Sequence, residues 1–160
     1  MQPMKPNTVR NVQPRGHDPY ARRTKTADAI VCGQCGVVFH GGRWYWGTPP
    51  LCDERSGLCP ACERIRDRYP AGRVRLSGLA DAEREEVIHM IRNLELSEKR
   101  EHPLERLIEV VDGDDGDVLI TTTGTHLARR IASGLRRRAR QDVEIRFAEG
   151  DHFVDVVYRG

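Results

Sequence analysis

Cys32-Gly-Gln-Cys35 and Cys59-Pro-Ala-Cys62 are the stretches of sequence that decide the fold of this chain. Each places two thiols two residues apart, so that one turn of backbone presents two sulfurs to the same ion. Two such knuckles supply four thiolates, which close a tetrahedral coordination shell. The spacing therefore predicts one structural zinc ion bound by Cys32, Cys35, Cys59 and Cys62, which stabilises the fold but leaves no position for water or substrate.

Other cysteine chemistries fit the sequence less well. A thioredoxin-type dithiol lies between a strand and a helix of a parallel unit, whereas strand-like residues flank Cys32-Gly-Gln-Cys35 on both sides. Disulfides are disfavoured by the odd number of cysteines, five, and by the lack of an apolar signal-peptide run. Cys52 is left over. It and His40 remain open as substitute ligands or as parts of a second, open site, but a lone loop cysteine in a reducing compartment is more often a spare thiol.

Length and composition limit the chain to one ordinary hydrophobic core and a small module that a metal ion holds together. It has 160 residues, of which 38% are hydrophobic and 31% charged. Such a chain buries too little apolar surface for two full cores. No apolar run approaches the roughly 20 residues that cross a bilayer, so the sequence predicts a cytoplasmic protein without a membrane partner.

The net charge of +2 conceals a strong segregation of charge along the chain. Residues 1–27 carry six basic side chains and one acidic one in a Pro-, Asn- and Thr-rich segment, which predicts a basic, disordered arm. Residues 81–117 carry 13 acidic and five basic side chains, and residues 125–141 carry six arginines and no acid. Basic segments at both ends favour a polyanionic partner such as RNA, although a solvated helix face plus a tail would give the same pattern.

The sequence predicts an α+β fold in three parts. After the arm, residues 28–72 form a small zinc ribbon, and residues 73–160 form a larger α+β domain. Apolar periodicity there predicts two helices, at 81–99 and 125–140, and four strands, at 107–111, 118–122, 143–147 and 153–158. Residues 73–78 read as an extended connection. The order α-β-β-α-β-β implies a sheet with two helices on one face.

Two groups of side chains are candidates for binding nucleic acid. The alternating run between the knuckles offers Arg43, Trp44 and Trp46, whose rings either form the small core of the ribbon or stack nucleobases beside the arginine. The second helix presents a basic face that suits phosphates. Its arginines are Arg129, Arg130, Arg136, Arg137 and Arg140.

The start of the second helix is a third candidate site. Thr123, Thr125 and His126 bring hydroxyls, an imidazole and free backbone N–H groups to a helix N-terminus, which suits a phosphate, although an ordinary N-cap explains the same residues. An enzyme acting on a phosphorylated substrate would need a pocket that joins this loop to Cys52 or His40. The chain has no Walker motif and no nucleophile-base pair at recognisable spacing, so the sequence predicts no enzyme.

Several motifs carry a resemblance to a known family. They are Cys59-Pro-Ala-Cys62 followed by Arg64-Ile65, Asp67 and Tyr69-Pro-Ala-Gly72, then Thr121-Thr-Thr123 with His126-Leu-Ala-Arg-Arg-Ile131, and Gly42-Arg43-Trp44 with Trp46-Gly47. Over residues 18–160 the chain resembles a family of short, uncharacterised bacterial zinc-ribbon proteins. It is more distantly similar to the archaeal and eukaryotic export adaptors of the large ribosomal subunit, which use repeated CxxC knuckles. The first resemblance implies a zinc ribbon, and the second implies a ribosomal partner.

The spacing of the cysteines, the segregation of charge and the resemblance to these families together predict a non-enzymatic zinc-ribbon adaptor. Such an adaptor binds RNA or associates with the ribosome. The alternative is a protein–protein interaction module with a structural zinc ion, in which the acidic first helix matters as much as the basic second. An enzyme acting on a phosphorylated substrate is the third hypothesis.

Overall fold

The computed structural model describes residues 18–20, 28–139, 143–148 and 152–160, and in these ranges it holds two sheets and three helices. The mixed α+β class is confirmed. Most of the expected basic arm and Arg140 lie outside the described residues. No helix within the described ranges is both long and apolar enough to cross a membrane.

The ribbon is a four-stranded sheet followed by a short helix. Its elements are β1 (Ala29–Cys32), β2 (Val38–His40), β3 (Arg43–Tyr45), β4 (Glu54–Gly57) and α1 (Pro60–Asp67). The strand order is β3-β2-β1-β4, with β1 and β4 parallel and the other pairs antiparallel. Because Cys32 pairs with Gly57 in the parallel register, the first knuckle lies beside the start of the second.

The larger domain is a five-stranded sheet with two long helices. Its elements are β5 (Gly72–Ser77), α2 (Asp81–Glu101), β6 (Leu107–Asp112), β7 (Val118–Thr122), α3 (Thr125–Ala139), β8 (Val143–Phe147) and β9 (Val154–Arg159). The strand order is β6-β7-β5-β9-β8, in which β5 and β9 are parallel and the other neighbours antiparallel. A short 3-10 turn joins β6 to β7.

Strand β5 adds to the predicted order, because the segment read as a connection is the central strand of this sheet. Apolar and charged side chains alternate over only four residues of β5. Val74 and Leu76 are fully buried, while Arg73 and Arg75 occupy the alternate positions. Those arginines are accommodated on the opposite face, where Asp155 accepts from Arg73 at 3.0 Å and from Arg75 at 2.9 Å. The domain therefore has the order β-α-β-β-α-β-β.

The hydrophobic core lies between the sheet and the two helices. The apolar stripes of α2 and α3 contribute Val87, Ile91, Leu127, Ile131 and Leu135, all with no exposed surface. Alternate residues of the central strands meet them from the sheet, because side chains of a strand point to opposite faces in turn. This single core holds α3 in place and leaves its arginines on the outside.

Gly72 is a point of close approach between β5 and α3. A Cβ added there would lie 2.4 Å from Thr122 Oγ1 and 2.6 Å from Ala128 Cβ. We expect Gly72→Ala to lower the free energy of unfolding by about 1–3 kcal/mol, because the extra methyl group overpacks a rigid contact. Urea denaturation measures the change. Gly113→Ala is the control, since its Cβ would first meet an atom at 3.4 Å, and equal stability of the two variants would contradict the packing argument.

Candidate metal centre

The structure brings the four predicted cysteines together at the junction of the two modules. The sulfurs of Cys32, Cys35, Cys59 and Cys62 all lie within 4.8 Å of one another, and none forms a disulfide. The sulfurs of Cys35 and Cys59 are 3.8 Å apart. A tetrahedral ion with metal–sulfur bonds of about 2.3 Å requires sulfurs about 3.8 Å apart. The four cysteines are therefore positioned to bind one metal ion.

Local backbone geometry sets the position of each knuckle. In the first, the carbonyl of Cys32 accepts from the N–H of Gly36 at 2.8 Å, in a turn that requires a positive φ of 76° at this glycine. In the second, Cys59 is the N-cap of α1, and its sulfur accepts from the N–H of Cys62 at 3.4 Å. The unpaired N–H groups of a helix N-terminus stabilise thiolates there.

Burial and repulsion between neighbouring thiolates oppose negative charge on Cys59 and Cys62. Burial would raise the pKa of Cys32, but backbone N–H donors outweigh it and lower that pKa to about 6. Burial raises the pKa of Cys62 to about 11 and raises that of Cys59 further, with neighbouring thiolates adding to both effects. Since a metal ligand must be deprotonated, the ion that replaces these protons also supplies the balancing charge.

Arg106 lies in the loop between α2 and β6 (residues 102–106, called the α2–β6 loop) and contacts this centre. Its guanidinium donates to the sulfurs of Cys35 at 3.1 Å and Cys62 at 3.4 Å, and only 6% of the residue is exposed. Burial would lower the pKa of Arg106, but the hydrogen bond to Cys35 and the nearby thiolates raise it. A permanent cation of the larger domain thus neutralises part of the charge of the ribbon's centre.

The two tryptophans occupy structural positions around the same centre. Trp44 packs against the cysteine cluster and lies 5.1 Å from the Phe39 ring. The indole N–H of Trp46 donates to the carbonyl of Lys99 at 2.7 Å, and the Arg106 guanidinium lies 5.5 Å from its ring centroid. Trp44 therefore belongs to the ribbon core, whereas the exposed Trp46 forms the contact with α2. Arg43 on the same hairpin is exposed and lies near Tyr45.

The arginines of α3 differ in their partners. Arg130 is paired with Glu98 at 2.7 Å, whereas Arg129, Arg136 and Arg137 are exposed and have no carboxylate partner within the described part of the chain. Arg136 donates to the carbonyl of Val143, and Arg137 makes a long contact with the carbonyl of Ser133. Arg140, the fifth predicted residue, lies outside the described residues.

Phe147 of β8 lies beside Arg129 on this face and was not predicted as a site residue. Its ring is 53% exposed, and the Arg129 guanidinium lies 4.9 Å from its centroid. Phe147 shares its face of β8 with Val143 and Ile145, which pack with the core, so no signal in the sequence indicated that it is exposed. Arg106 also was not predicted as a site residue. Its only signal in the sequence is weak: it is the one arginine or lysine between Glu101 and Asp117.

The N-terminus of α3 already holds a carboxylate of the protein. Glu105 accepts from the N–H of Leu127 at 2.7 Å, and burial raises the pKa of this carboxyl. The Thr123 hydroxyl donates to the carbonyl of Leu104 and accepts from the N–H of Arg106. A phosphate at this helix end would therefore have to displace Glu105, and it would find Thr125 half-buried and His126 paired with Glu98.

A polar pocket of about 220 Å³ lies beside this loop. Thr123, Thr125, Glu105 and Arg64 contribute to its walls, whereas Cys52 and His40 do not line it. Within the described ranges, those two residues also lie outside the four-cysteine cluster. The geometry expected for an enzyme, a pocket that joins the loop to Cys52 or His40, is not formed by this pocket.

The turns of the two knuckles therefore position the four cysteines, and a buried arginine from the larger domain donates hydrogen bonds to two of them. Comparison of the chain with models of protein families, with curated proteins and with solved structures finds no match.

Proposed function

We propose that this protein is a non-enzymatic adaptor that binds RNA or associates with the ribosome, with a single structural zinc ion in the four-cysteine centre. The resemblance to short bacterial zinc-ribbon proteins and to ribosomal export adaptors supports the proposal, as does the segregation of charge along the sequence. A place in the cytoplasm is part of the same proposal.

The observation that carries the proposal is the surface formed by Arg129, Arg136, Arg137 and Phe147, called here the α3 basic surface. Within the described residues none of its three guanidiniums is paired with a carboxylate, and the exposed ring of Phe147 lies beside Arg129. Guanidiniums bind phosphates, and an aromatic face stacks an unpaired base of single-stranded RNA. The remaining exposed charges of α3, Arg130 and Arg138, are paired with Glu98 and Glu86.

Zinc is the ion that best suits the centre. Four thiolates in tetrahedral arrangement favour zinc over magnesium or calcium, which prefer oxygen ligands. A closed shell of this kind holds the ribbon together, and Arg106 links it to the larger domain, so that the adaptor is rigid.

The test is the salt dependence of RNA binding by the variant Arg129→Ala/Arg136→Ala/Arg137→Ala. Each lost phosphate contact on single-stranded nucleic acid lowers the slope of log K against log salt by about 0.7, so the variant should lose about 2 units of slope. At 0.1 M salt the same loss corresponds to an affinity about 100-fold weaker. Fluorescence anisotropy with a mixed-sequence single-stranded RNA measures both quantities.

The control carries the same change in charge at three other exposed arginines, Arg92→Ala/Arg100→Ala/Arg159→Ala. It should keep the slope and most of the affinity. Equal losses in both variants would show that only net charge matters, and no loss in either would refute the α3 basic surface. A partner from the cell that survives nuclease and high salt would favour the protein–protein interaction module instead.

A further inference from the structure

A group of metal-binding side chains outside the cysteine centre lies where the end of α2 meets the start of α3. Glu98, His102 and His126 place one ligand atom each within 4.8 Å of the other two. The Nε2 atom of His126 is 3.1 Å from Oε2 of Glu98, and the two imidazole rings meet edge to face with centroids 5.3 Å apart. Two imidazoles and a carboxylate are a ligand set typical of divalent transition metals.

The backbone fixes all three positions. Glu98 lies in the last turn of α2, and His102 is the C-cap residue that follows this helix, where its N–H donates to the carbonyl of Glu98 at 2.7 Å. His126 is the second residue of α3. Because each ligand lies on a helix or at its end, the group needs little rearrangement to bind an ion.

Neighbouring side chains hold the Glu98 carboxylate in an orientation that suits a metal ligand. The residue is only 7% exposed, and its Oε1 accepts from Arg130 at 2.7 Å, which orients the carboxylate. Oε2 remains directed at His126. Two cis ligands about 2.1 Å from a six-coordinate ion are about 3.0 Å apart, close to the observed separation of these two atoms.

A surface hydrogen-bond network without a metal would explain Glu98, Arg130 and His126, but it leaves His102 unexplained. Its imidazole makes no hydrogen bond in the described part of the chain. Its ring meets the His126 ring edge to face, and it lies near enough to Glu105 to act on that carboxyl electrostatically. We propose that Glu98, His102 and His126 form a second, solvent-open site for a divalent transition-metal ion. Both histidines are exposed, so the remaining coordination positions face water or an oxygen ligand of a partner.

The test adds Co²⁺ to untagged protein whose cysteine centre is filled with zinc, and follows binding by calorimetry and visible absorption. We expect one equivalent to bind with the weak bands of nitrogen and oxygen ligands. His102→Ala and His126→Ala should each weaken this binding by at least about 100-fold, since loss of a mere outer-shell partner already costs about 10- to 100-fold. His89→Ala, an exposed histidine elsewhere on α2, is the matched control and should bind as the wild type does.

Three results would overturn the proposal. The first is no binding by the wild type at micromolar Co²⁺, and the second is unchanged affinity in His102→Ala and His126→Ala. The third is the appearance of intense thiolate charge-transfer bands with the first equivalent, because these would show exchange at the cysteine centre rather than a second site. Both tested histidines are exposed, and circular dichroism checks that each variant remains folded.

Discussion

Cys59→Ser should release the metal ion and unfold the ribbon while the larger domain stays folded. The buried cluster around the centre has only five members, three of which are cysteines, and the ribbon adds a few buried side chains on β1 and β2. The larger domain buries a separate and larger set of apolar side chains. Structural zinc contributes an apparent binding free energy of about 10–16 kcal/mol, which exceeds what so small a core supplies. The loss of one thiolate therefore removes the main interaction that holds residues 29–67 together.

Two measurements check this result. Native mass spectrometry of protein purified without added metal counts the bound ions, and hydrogen exchange maps protection along the chain. We expect one ion in the wild-type cysteine centre and none there in Cys59→Ser. Protection should be lost in the ribbon and at the entrance of α3, but kept in the core of the larger domain. Cys52→Ser is the control, because Cys52 is exposed and outside the cluster. A Cys59→Ser protein that keeps both its ion and its ribbon protection would refute the four-cysteine site.

Arg106→Met should weaken the centre without removing any ligand. Methionine retains much of the packing volume but leaves the thiolates of Cys35 and Cys62 without their buried cation. Removing one partner of a buried, hydrogen-bonded charge pair costs about 3–5 kcal/mol of stability. Loss of an outer-shell partner also lowers metal affinity by about 10- to 100-fold. Competition with a chelator of known affinity measures the second effect, and urea denaturation measures the first.

Arg106→Lys separates charge from geometry. Lysine keeps the positive charge but not the planar fork that reaches two sulfurs and the carbonyl of Pro103, so an intermediate loss of affinity is expected. Arg92→Met, at an exposed position on α2, should leave metal affinity and unfolding unchanged. If Arg106→Met matched this control, the arginine would be a packing residue with no influence on the metal.

The contacts of Arg106 couple the metal centre to the larger domain. Its N–H bonds with Thr123, and the Thr123 hydroxyl also bonds with the carbonyl of Leu104. Through these bonds, the start of α3 is tied to the same loop that contacts Cys35 and Cys62. Loss of the ion is therefore expected to loosen the entrance of α3, which hydrogen exchange at Thr123 and Leu127 would register.

The CxxC spacing, the apolar stripes of both long helices and four of the five strands of the larger sheet follow from local sequence. The reason is that residues within a turn or a strand interact with near neighbours. For this reason the four cysteines and the arginine face of α3 were predictable. Strand β5 was missed because its alternation pairs valine and leucine with two arginines, and only Asp155, some 80 residues away, makes those arginines acceptable in a central strand.

Sequence by itself determined the ligands of the metal centre and the amphipathic character of the helices. Only the tertiary structure decided that Arg106 contacts Cys35 across 71 residues of sequence, that Trp46 binds the carbonyl of Lys99, and that Glu105 occupies the start of α3. It also brought His126 to Glu98 and His102. The physical reason is that each of these contacts joins groups on different elements, whose separation depends on how the two sheets and three helices pack and leaves no periodic trace in the sequence.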